Sequence, residues 1–225
     1  MRAIKTEELK QHPVLLASPQ FGGNCHTIFA RSLADLALLA GQYGLPLGTC
    51  FYLNESLITR ARNYCADVFM QSPAEHLLFI DADIGFKAQD ALELLILQIQ
   101  NTEYEIIGGP YKKKEIGAGY AYNYDVPVDW DSKEPVEVTG IGTGFMLIKR
   151  SVLEKFQHEF PQFRYKTDDK NPRAIMQYFQ AEIDPASRRY LSEDYWFSAR
   201  CKEIGIRTWL CPWMKLRHAG TFIFE

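Results

Sequence analysis

The sequence predicts an α/β fold in which a mostly parallel central sheet is flanked by helices. Two observations predict it. Over the first half of the chain, short apolar segments of strand length alternate with segments whose apolar residues recur at helical spacing. The 225 residues, 47% of them hydrophobic, also suffice for one large domain with a sizeable core. We therefore expect a single α/β domain that spans residues 1–225.

The predicted elements of the first half follow one another with short connections. Residues 14–19 have the composition of a buried strand and lead into a loop that contains Gly22 and Gly23. A helix is predicted over Thr27–Tyr43, because its apolar residues share one face and Gly44 follows as a stop signal. The next predicted elements are strand Leu47–Leu53, helix 57–70, strand 77–80, helix 89–100 and strand 105–109.

The second half of the chain is less regular and predicts a variable region. Residues 110–135 show no helical pattern and are rich in Gly, Tyr, Lys and Asp. Residues 136–148 return to strand-like composition, with Gly140, Gly142 and Gly144 interleaved. The remaining predictions are helix 151–156, an irregular polar segment over 161–190, helix 192–205 and strand 207–210.

Composition and charge exclude several classes of protein. A net charge of −3 and a pI near 6.0 disfavour a sequence-blind binder of polyanions. The five cysteines are scattered, with no C-x-x-C pair, which favours reduced thiols over a disulfide framework or a zinc site. The charged N-terminus lacks the apolar region of a signal peptide, and no apolar run is long enough to span a membrane. We expect a soluble, cytoplasmic protein.

Two carboxylates follow the buried strand predicted at 77–80. Asp81 and Asp83 are one residue apart, and the carboxyl end of a strand is where open α/β sheets bind ligands. On an extended backbone the two side chains point the same way, so that both acids meet one hard cation such as Mn²⁺ or Mg²⁺. The alternative is a pair of acids that cap a turn.

The junction between strand Leu47–Leu53 and the following helix carries arginines. Ser56 is the candidate N-cap, and a helix N-terminus with guanidiniums nearby suits an anion such as a nucleotide phosphate. Arg60 and Asn63 share a face, whereas Arg62 points elsewhere. The alternative is a set of solvated arginines with one salt bridge to Asp81 or Asp83.

Two glycine-containing segments are further candidates for ligand contact. Gly108 and Gly109 precede Lys112, Lys113 and Lys114, which can hold a phosphate or a polyanionic acceptor, or can form an ordinary solvated loop. The segment 140–148 is not a dinucleotide fingerprint, because its G-x-G-x-G spacing leads into a strand. We interpret this segment as a glycine-lined strand that passes under a ligand.

The last candidates lie near the C-terminus. Ser192 is predicted as an N-cap, and Glu193 and Asp194 follow in the first turn, where the helix dipole favours acids. The functional alternative is that one of them faces the cleft as a catalytic base. His218 is a lone histidine, usually a structural residue, but an imidazole so late in the chain can also fold back as a Mn²⁺ ligand.

The order of these motifs resembles that of the GT-A glycosyltransferases over residues 14–220. The Arg60 to Asn63 segment with Asp81 and Asp83 also resembles mannan-polymerase-type mannosyltransferases and small soluble transferases of viruses and phages. The resemblance implies a Rossmann-like GT-A fold, with a nucleotide-sugar-binding half over 12–109 and an acceptor half over 110–225. It further implies that Asp81, Asp83 and His218 hold Mn²⁺ (or Mg²⁺), and that Asp194, beside Glu193, is the base. The implied positions for the nucleotide-diphosphate sugar are Arg60, Asn63, Asp81, Gly144 and Lys114, although the lysines at 112–114 have no general counterpart.

The implied function is transfer of a sugar from a nucleotide-diphosphate donor to an acceptor hydroxyl. The acceptor is a saccharide or a hydroxymethylated pyrimidine in viral-type DNA, the latter because tyrosines and lysines are frequent over residues 111–124. The sequence leaves open the sugar, the stereochemical course and the oligomeric state. A sugar-phosphate nucleotidyltransferase and a non-catalytic sugar-nucleotide-binding module are the alternatives from other classes.

Overall fold

A computed structural model describes residues 4–115, 117, 119–124, 127–167, 173–185, 187–220 and 222–224. The helices of these residues are α1 (Thr6–Leu9), α2 (Thr27–Tyr43), α3 (Ile58–Gln71), α4 (Ala88–Gln100), α5 (Arg150–Glu159) and α6 (Glu193–Glu203). The strands are β1 (Val14–Gln20), β2 (Leu47–Leu53), β3 (His76–Ile80), β4 (Ile84–Gly85), β5 (Ile106–Gly108), β6 (Tyr122–Asn123), β7 (Val136–Val138), β8 (Gly140–Ile141), β9 (Phe145–Lys149), β10 (Arg164–Lys166), β11 (Ala174–Met176), β12 (Glu182–Ile183), β13 (Tyr190–Leu191), β14 (Thr208–Leu210), β15 (Arg217–Ala219) and β16 (Ile223–Phe224).

The centre of the fold is a seven-stranded sheet in the order β2-β1-β3-β9-β5-β14-β7. Strands β2, β1, β3, β5 and β14 run in one direction, and β9 and β7 run against them. The sheet is therefore mostly parallel, as predicted. Helices α2 and α4 pack on one face and α3, α5 and α6 on the other, each over its own apolar core.

Most of the predicted elements are confirmed within one or two residues, and the exceptions have local causes. Helix α3 begins at Ile58, so that Leu57 rather than Ser56 is its N-cap residue. The carboxylate of Glu55 accepts the Leu57 N–H at 3.0 Å and takes over the capping role that we assigned to Ser56. Ser192 does occupy the N-cap position of α6.

Four small sheets lie outside the main sheet in the described part of the chain, one of them the pair β6-β8. Strand β4 pairs with β15 and joins a three-stranded ribbon, β16-β15-β4. The segment predicted to be irregular, 161–190, contributes two short hairpins, β10-β11 and β12-β13. Among the described residues, no helix is long and apolar enough to cross a membrane.

Candidate active site

The carboxyl ends of β1 and β3 open into a cleft of about 610 Å³. Its lining includes Phe21, His26, Arg62, Asp81, Asp83 and Glu193. These residues come from the loops after β1 and β3, from α3 and from the start of α6. The cleft therefore lies where a doubly wound α/β sheet is expected to bind its ligand.

The two aspartates after β3 lie in a turn. The Ile84 N–H donates to the Asp81 carbonyl at 3.0 Å, and the Asp81 N–H donates to the carbonyl of Gly144 at 3.2 Å. Our expectation of an extended backbone that aims both acids in one direction is therefore wrong. The turn gives the two carboxylates different partners at one end of the cleft.

Arg62 joins Asp81 to Glu193 through a buried guanidinium. Its Nη2 donates to Asp81 Oδ1 at 2.9 Å, and its Nε donates to Glu193 Oε1 at 3.0 Å. Burial disfavours the charge of Arg62, but the two carboxylates outweigh burial and raise its pKa above the ordinary value. The Arg62 Nη1 atom is buried and has no hydrogen-bond partner among the described residues. Arg62 thus lies in the lining of the cleft with its guanidinium buried between two carboxylates.

Two side chains face the carboxylate of Asp83, the ammonium group of Lys114 and the imidazole ring of His218. Lys114 Nζ forms an ion pair with Asp83 Oδ2, and His218 Nε2 lies 3.5 Å from Asp83 Oδ1. Burial opposes ionisation of Asp83, but the neighbouring His218 and Lys114 outweigh it and lower the pKa of the carboxyl. The β4–β15 ribbon sets this geometry, since His218 pairs with Ile84 and the Ala219 N–H donates to the Asp83 carbonyl at 2.8 Å.

The chemistry of Asp83 and His218 fits a divalent cation in part. His218 Nδ1 lies 2.7 Å from the Lys112 carbonyl, and because a carbonyl only accepts, Nδ1 carries a proton. In the neutral ring, Nε2 then holds a lone pair beside Asp83 Oδ1, a buried oxygen without a hydrogen-bond partner among the described residues. No cluster of three or more His, Cys, Asp or Glu side chains in the described part of the chain is arranged to hold a metal ion. Asp83 and His218 are thus adjacent candidate ligands, and Asp81 does not complete a cluster with them among the described residues.

Asp194 lies at the start of α6 with its carboxyl group oriented by its own loop. Its Oδ1 accepts hydrogen bonds from the Ser192 hydroxyl and, at 2.8 Å, from the Tyr195 N–H. Burial, followed by repulsion from Glu193, raises the pKa of Asp194 to about 6. Such a carboxyl group is a competent proton acceptor near neutral pH.

Tyr111 fills the space beside Gly142 and Gly144, which lie in the connection between β8 and β9. A Cβ atom at Gly142 would lie 2.0 Å from the Tyr111 hydroxyl oxygen, and one at Gly144 would lie 2.7 Å from its Cζ. The Gly144 N–H donates to that hydroxyl at 3.1 Å. Burial raises the pKa of Tyr111, and the neighbouring carboxylates of Asp81 and Asp194 raise it further. The glycines therefore accommodate a ring of the protein, and not a ligand as we interpreted from the sequence.

Two predicted donor-binding residues lie away from the cleft lining. Asn63 is buried, and its amide donates to the Phe179 carbonyl at 3.0 Å and accepts the Phe179 N–H at 2.8 Å. Arg60 forms two hydrogen bonds with the carboxylate of Glu55, at 2.6 and 2.9 Å. Both side chains are thus engaged in local structure. Asp81, Asp83 and Glu193 line the cleft, and Lys114 and His218 contact Asp83. Gly144 and Asp194 are outside the cleft lining and lie near Tyr111.

Arg62 is the residue that sequence reasoning missed. We expected it to point away from Arg60 and Asn63 and gave it no binding role. The alternative of one arginine salt bridge to Asp81 or Asp83 is present as the Arg62–Asp81 pair. The neighbours of Arg62 three, four and seven positions on, Cys65, Ala66 and Phe69, are all buried, so Arg62 begins the apolar face of α3. An arginine on such a face requires buried acidic partners, and that signal was present in the sequence.

Comparisons with known proteins bear on the fold. No family model matches the sequence, and no curated protein matches it. The structure of A197 from STIV matches 92% of this chain and 86% of that chain, with 20% identity and a TM-score of 0.58. GalNAc-T7, solved with UDP, GalNAc and Mn²⁺, matches 96% of this chain with 10% identity and a TM-score of 0.52. S. aureus TarS 1-349, in complex with UDP-GlcNAc, matches 88% with 14% identity and a TM-score of 0.50.

The fold is GT-A-like. This chain spans 47% of the GalNAc-T7 chain and 55% of the TarS chain, so the similarity concerns about half of each of those two proteins. At these identities the similarity is one of fold. The predicted architecture is confirmed, and the chemistry must be argued from the cleft itself.

Proposed function

We propose that this protein is a glycosyltransferase that transfers a sugar from a nucleotide-diphosphate sugar to an acceptor hydroxyl. The observation that carries the proposal is the cleft at the carboxyl edge of a GT-A-like sheet. There Asp83, His218 and Lys114 lie together, and the buried Arg62 guanidinium is held between Asp81 and Glu193 in the cleft lining. This combination suits an anionic ligand that arrives with a divalent cation.

Asp83 and His218 would hold the cation, with Mn²⁺ or Mg²⁺ as the candidates. Oxygen and imidazole ligands suit Mn²⁺, and Mg²⁺ is commonly held by one or two carboxylates together with substrate phosphates. The bound cation supplies Lewis-acid neutralisation of the leaving diphosphate. Asp81 contributes indirectly, because it holds Arg62 in place across the cleft.

The cationic side chains would bind the donor. Arg62 would act on the diphosphate through its positive charge, while its Nη2 and Nε atoms stay on Asp81 and Glu193. Lys114 is 42% exposed on an extended loop, so its ammonium can move from Asp83 to the diphosphate once a cation engages that carboxylate. Both interactions are charge-assisted and fix the orientation of the sugar-phosphate bond.

Asp194 is the proposed base and Glu193 its positioning neighbour. With a pKa of about 6, Asp194 is ionised at neutral pH and accepts the proton of the acceptor hydroxyl as the new glycosidic bond forms. Glu193 is held by Arg62 and raises the pKa of Asp194 through its charge. The two adjacent acids thereby take different roles.

A panel of nucleotide-diphosphate sugars, each measured with and without Mn²⁺, tests the proposal. A matching donor at about 100 times its Kd should stabilise the protein by roughly 2.7 kcal/mol, which a thermal-shift assay detects. Donor hydrolysis should require Mn²⁺ and should disappear in EDTA.

The variant Asp83→Asn should lose both the Mn²⁺-dependent shift and the hydrolysis, whereas Asp131→Asn, at an exposed position away from the cleft, should keep both. A folded Asp83→Asn protein with full activity in EDTA would refute the metal role. Release of pyrophosphate from a nucleoside triphosphate and a sugar phosphate would point instead to a nucleotidyltransferase.

A further inference from the structure

A second cavity of about 690 Å³ opens at the same edge of the sheet. It lies beyond the ends of β5 and β14, where Pro110 and Pro212 begin the loops after the two strands. Its apolar wall includes Phe86, Met214 and Leu216. This size and composition are those of a small-molecule site rather than of a surface groove.

Aromatic rings form one side of the cavity. Tyr120 and Trp130 both line it, with their ring centroids 4.5 Å apart. Tyr122 contacts the edge of Trp130, and Tyr124 stacks on Tyr122 in turn. Trp130 is nevertheless 39% exposed, so part of a large flat ring remains uncovered. An uncovered indole beside a cavity offers a stacking surface for a flat or ring-shaped ligand.

The charged side chains of this cavity are all cationic. Lys87, Lys215 and Arg217 line it, and its described lining contains no Asp or Glu. Neither Lys215 nor Arg217 forms an ion pair with any residue that the structure describes. The chain as a whole has a net charge of −3, so three cationic side chains around one cavity are a local excess of positive charge. This excess favours an anionic ligand.

The cavity shares its backbone with the candidate active site. Strand β4 follows Asp83 directly and contributes Gly85 to the cavity, and β15 contributes Arg217 next to His218. Successive side chains of a strand point to opposite sides, so β15 presents His218 to the cleft and Arg217 to the cavity. A ligand in the cavity is therefore separated from the cleft by one ribbon.

We propose that this cavity binds an anionic saccharide, a sugar unit that bears a carboxylate, sulfate or phosphate, as part of the acceptor. The sugar ring stacks on Trp130, and its acidic group binds Lys215 and Arg217. The acceptor role rests on the proposed glycosyltransferase function, but the binding does not. A nucleic acid is disfavoured, because the three cations surround one cavity and do not follow an extended groove.

Titration calorimetry with defined saccharides tests the binding. Trigalacturonate and a sulfated disaccharide are the anionic probes, and maltotriose is the neutral one. At least one anionic probe should bind more tightly than maltotriose, and raising the salt concentration should weaken it. Equal affinity for all three saccharides, or tighter binding of a single-stranded oligonucleotide or of anionic vesicles, would overturn the proposal.

Two variants localise the site. Trp130→Ala should weaken the anionic probe about tenfold or more. Lys215→Gln should weaken it about threefold to fivefold, as expected for a partly solvated charge. The control Lys155→Gln, an exposed lysine on α5 across the sheet, should leave the affinity unchanged. Unchanged affinity in both test variants would place the saccharide elsewhere and refute the assignment.

The same variants separate this inference from the proposed function. Trp130→Ala and Lys215→Gln should keep the Mn²⁺-dependent shift with the nucleotide-diphosphate sugar, because neither residue lines the donor cleft. Saccharide binding without any donor binding would defeat the glycosyltransferase proposal and leave the cavity assignment intact. Donor hydrolysis without saccharide binding would refute the cavity assignment and leave the glycosyltransferase proposal intact.

Discussion

Tyr111 occupies a space that exists only because two neighbouring residues lack side chains. Gly142→Ala would place a methyl group 2.0 Å from the Tyr111 hydroxyl oxygen, and the ring would have to leave its position between Asp81 and Asp194. We expect a loss of about 1–3 kcal/mol in the free energy of unfolding, the usual cost of overpacking. Urea denaturation measures it, with Gly41→Ala as the control because no atom lies within 4 Å of its added Cβ. Equal stability of the two variants would contradict this account.

Asp194 gives the activity a defined pH dependence. A base must be ionised, so kcat/KM for donor and acceptor should rise with pH through an apparent pKa of about 6 and level off above it. Asp194→Asn should lower turnover about 10²–10⁴-fold and leave donor affinity nearly unchanged. Glu203→Gln, at the exposed end of the same helix, is the control. Near-normal turnover of Asp194→Asn would show that Asp194 is not the base and only stabilises the start of α6.

Residue identity predicted some of these roles and missed others. Asp83 and His218 are candidates because carboxylate and imidazole are recognisable metal-ligand types, and Lys114 because a lysine run after glycines suggests an anion. The structure brings the three side chains together, and their roles stay predictions. Asn63 was assigned to a donor, but its amide satisfies the backbone of Phe179, 116 residues away in the sequence. A pattern of neighbouring residues cannot reveal a hydrogen-bond partner so distant in the sequence. Tyr111 escaped notice for the same reason, since its contact with Gly142 arises only in the folded sheet.

At the scale of elements, Arg62 connects α3, the turn after β3 and the start of α6. Arg62→Met would leave the carboxylates of Asp81 and Glu193 without their shared counter-charge, and we expect it to cost about 3–5 kcal/mol in the free energy of unfolding. The matched control is Arg60→Met, two residues before Arg62 on α3, whose more exposed pair with Glu55 should be worth at most about 1 kcal/mol.

Denaturant unfolding of both variants measures this difference. Adding Glu193→Gln to Arg62→Met should restore part of the lost stability, because it removes one of the uncompensated charges. Similar losses for the two arginine variants, or no recovery in the double variant, would show that Arg62 is not the joint between these elements.

The bounds of the elements were more predictable than their connections. Helix α2 and strand β2 agree with the prediction at both ends, because Gly44 stops the helix in a left-handed conformation and the apolar pattern is strong. The turn at Asp81 was not predictable from two-residue spacing. It depends on hydrogen bonds to Gly144 and within the 81–84 segment, which form only once β9 lies beside β3.

At the scale of the whole molecule, buried histidines at the opposite edge of the sheet make the fold sensitive to acid. Burial lowers the pKa of His76 to about 4, whereas the unfolded chain has its ordinary pKa of 6.5. Titration of His76 therefore costs no stability above pH 6.5. The free energy of unfolding decreases as the pH falls from 6.5 towards 4. In this window the unfolded state binds a proton that the native state excludes, so the loss approaches about 1.4 kcal/mol per pH unit.

Urea denaturation between pH 4.5 and 7.5 measures this contribution. His76→Gln should flatten the pH dependence, and the exposed His158→Gln should reproduce that of the unmodified protein. Burial also lowers the pKa of His12, which contacts the His76 ring. His12 therefore adds a loss of stability at acid pH with the same sign. Parallel slopes in all three proteins would exclude His76 as the acid-sensitive group.

The position of β9 has a consequence for synthesis on the ribosome. This strand lies between β3 and β5, although Phe145 is made 37 residues after Gly108, the last residue of β5. A nascent chain that ends at residue 109 thus exposes two strands whose backbone groups await a partner, and unpaired strand edges invite association between chains. The N-terminal half of the chain therefore cannot complete this sheet during synthesis. The exposed edges of β3 and β5 need protection by a chaperone until β9 emerges.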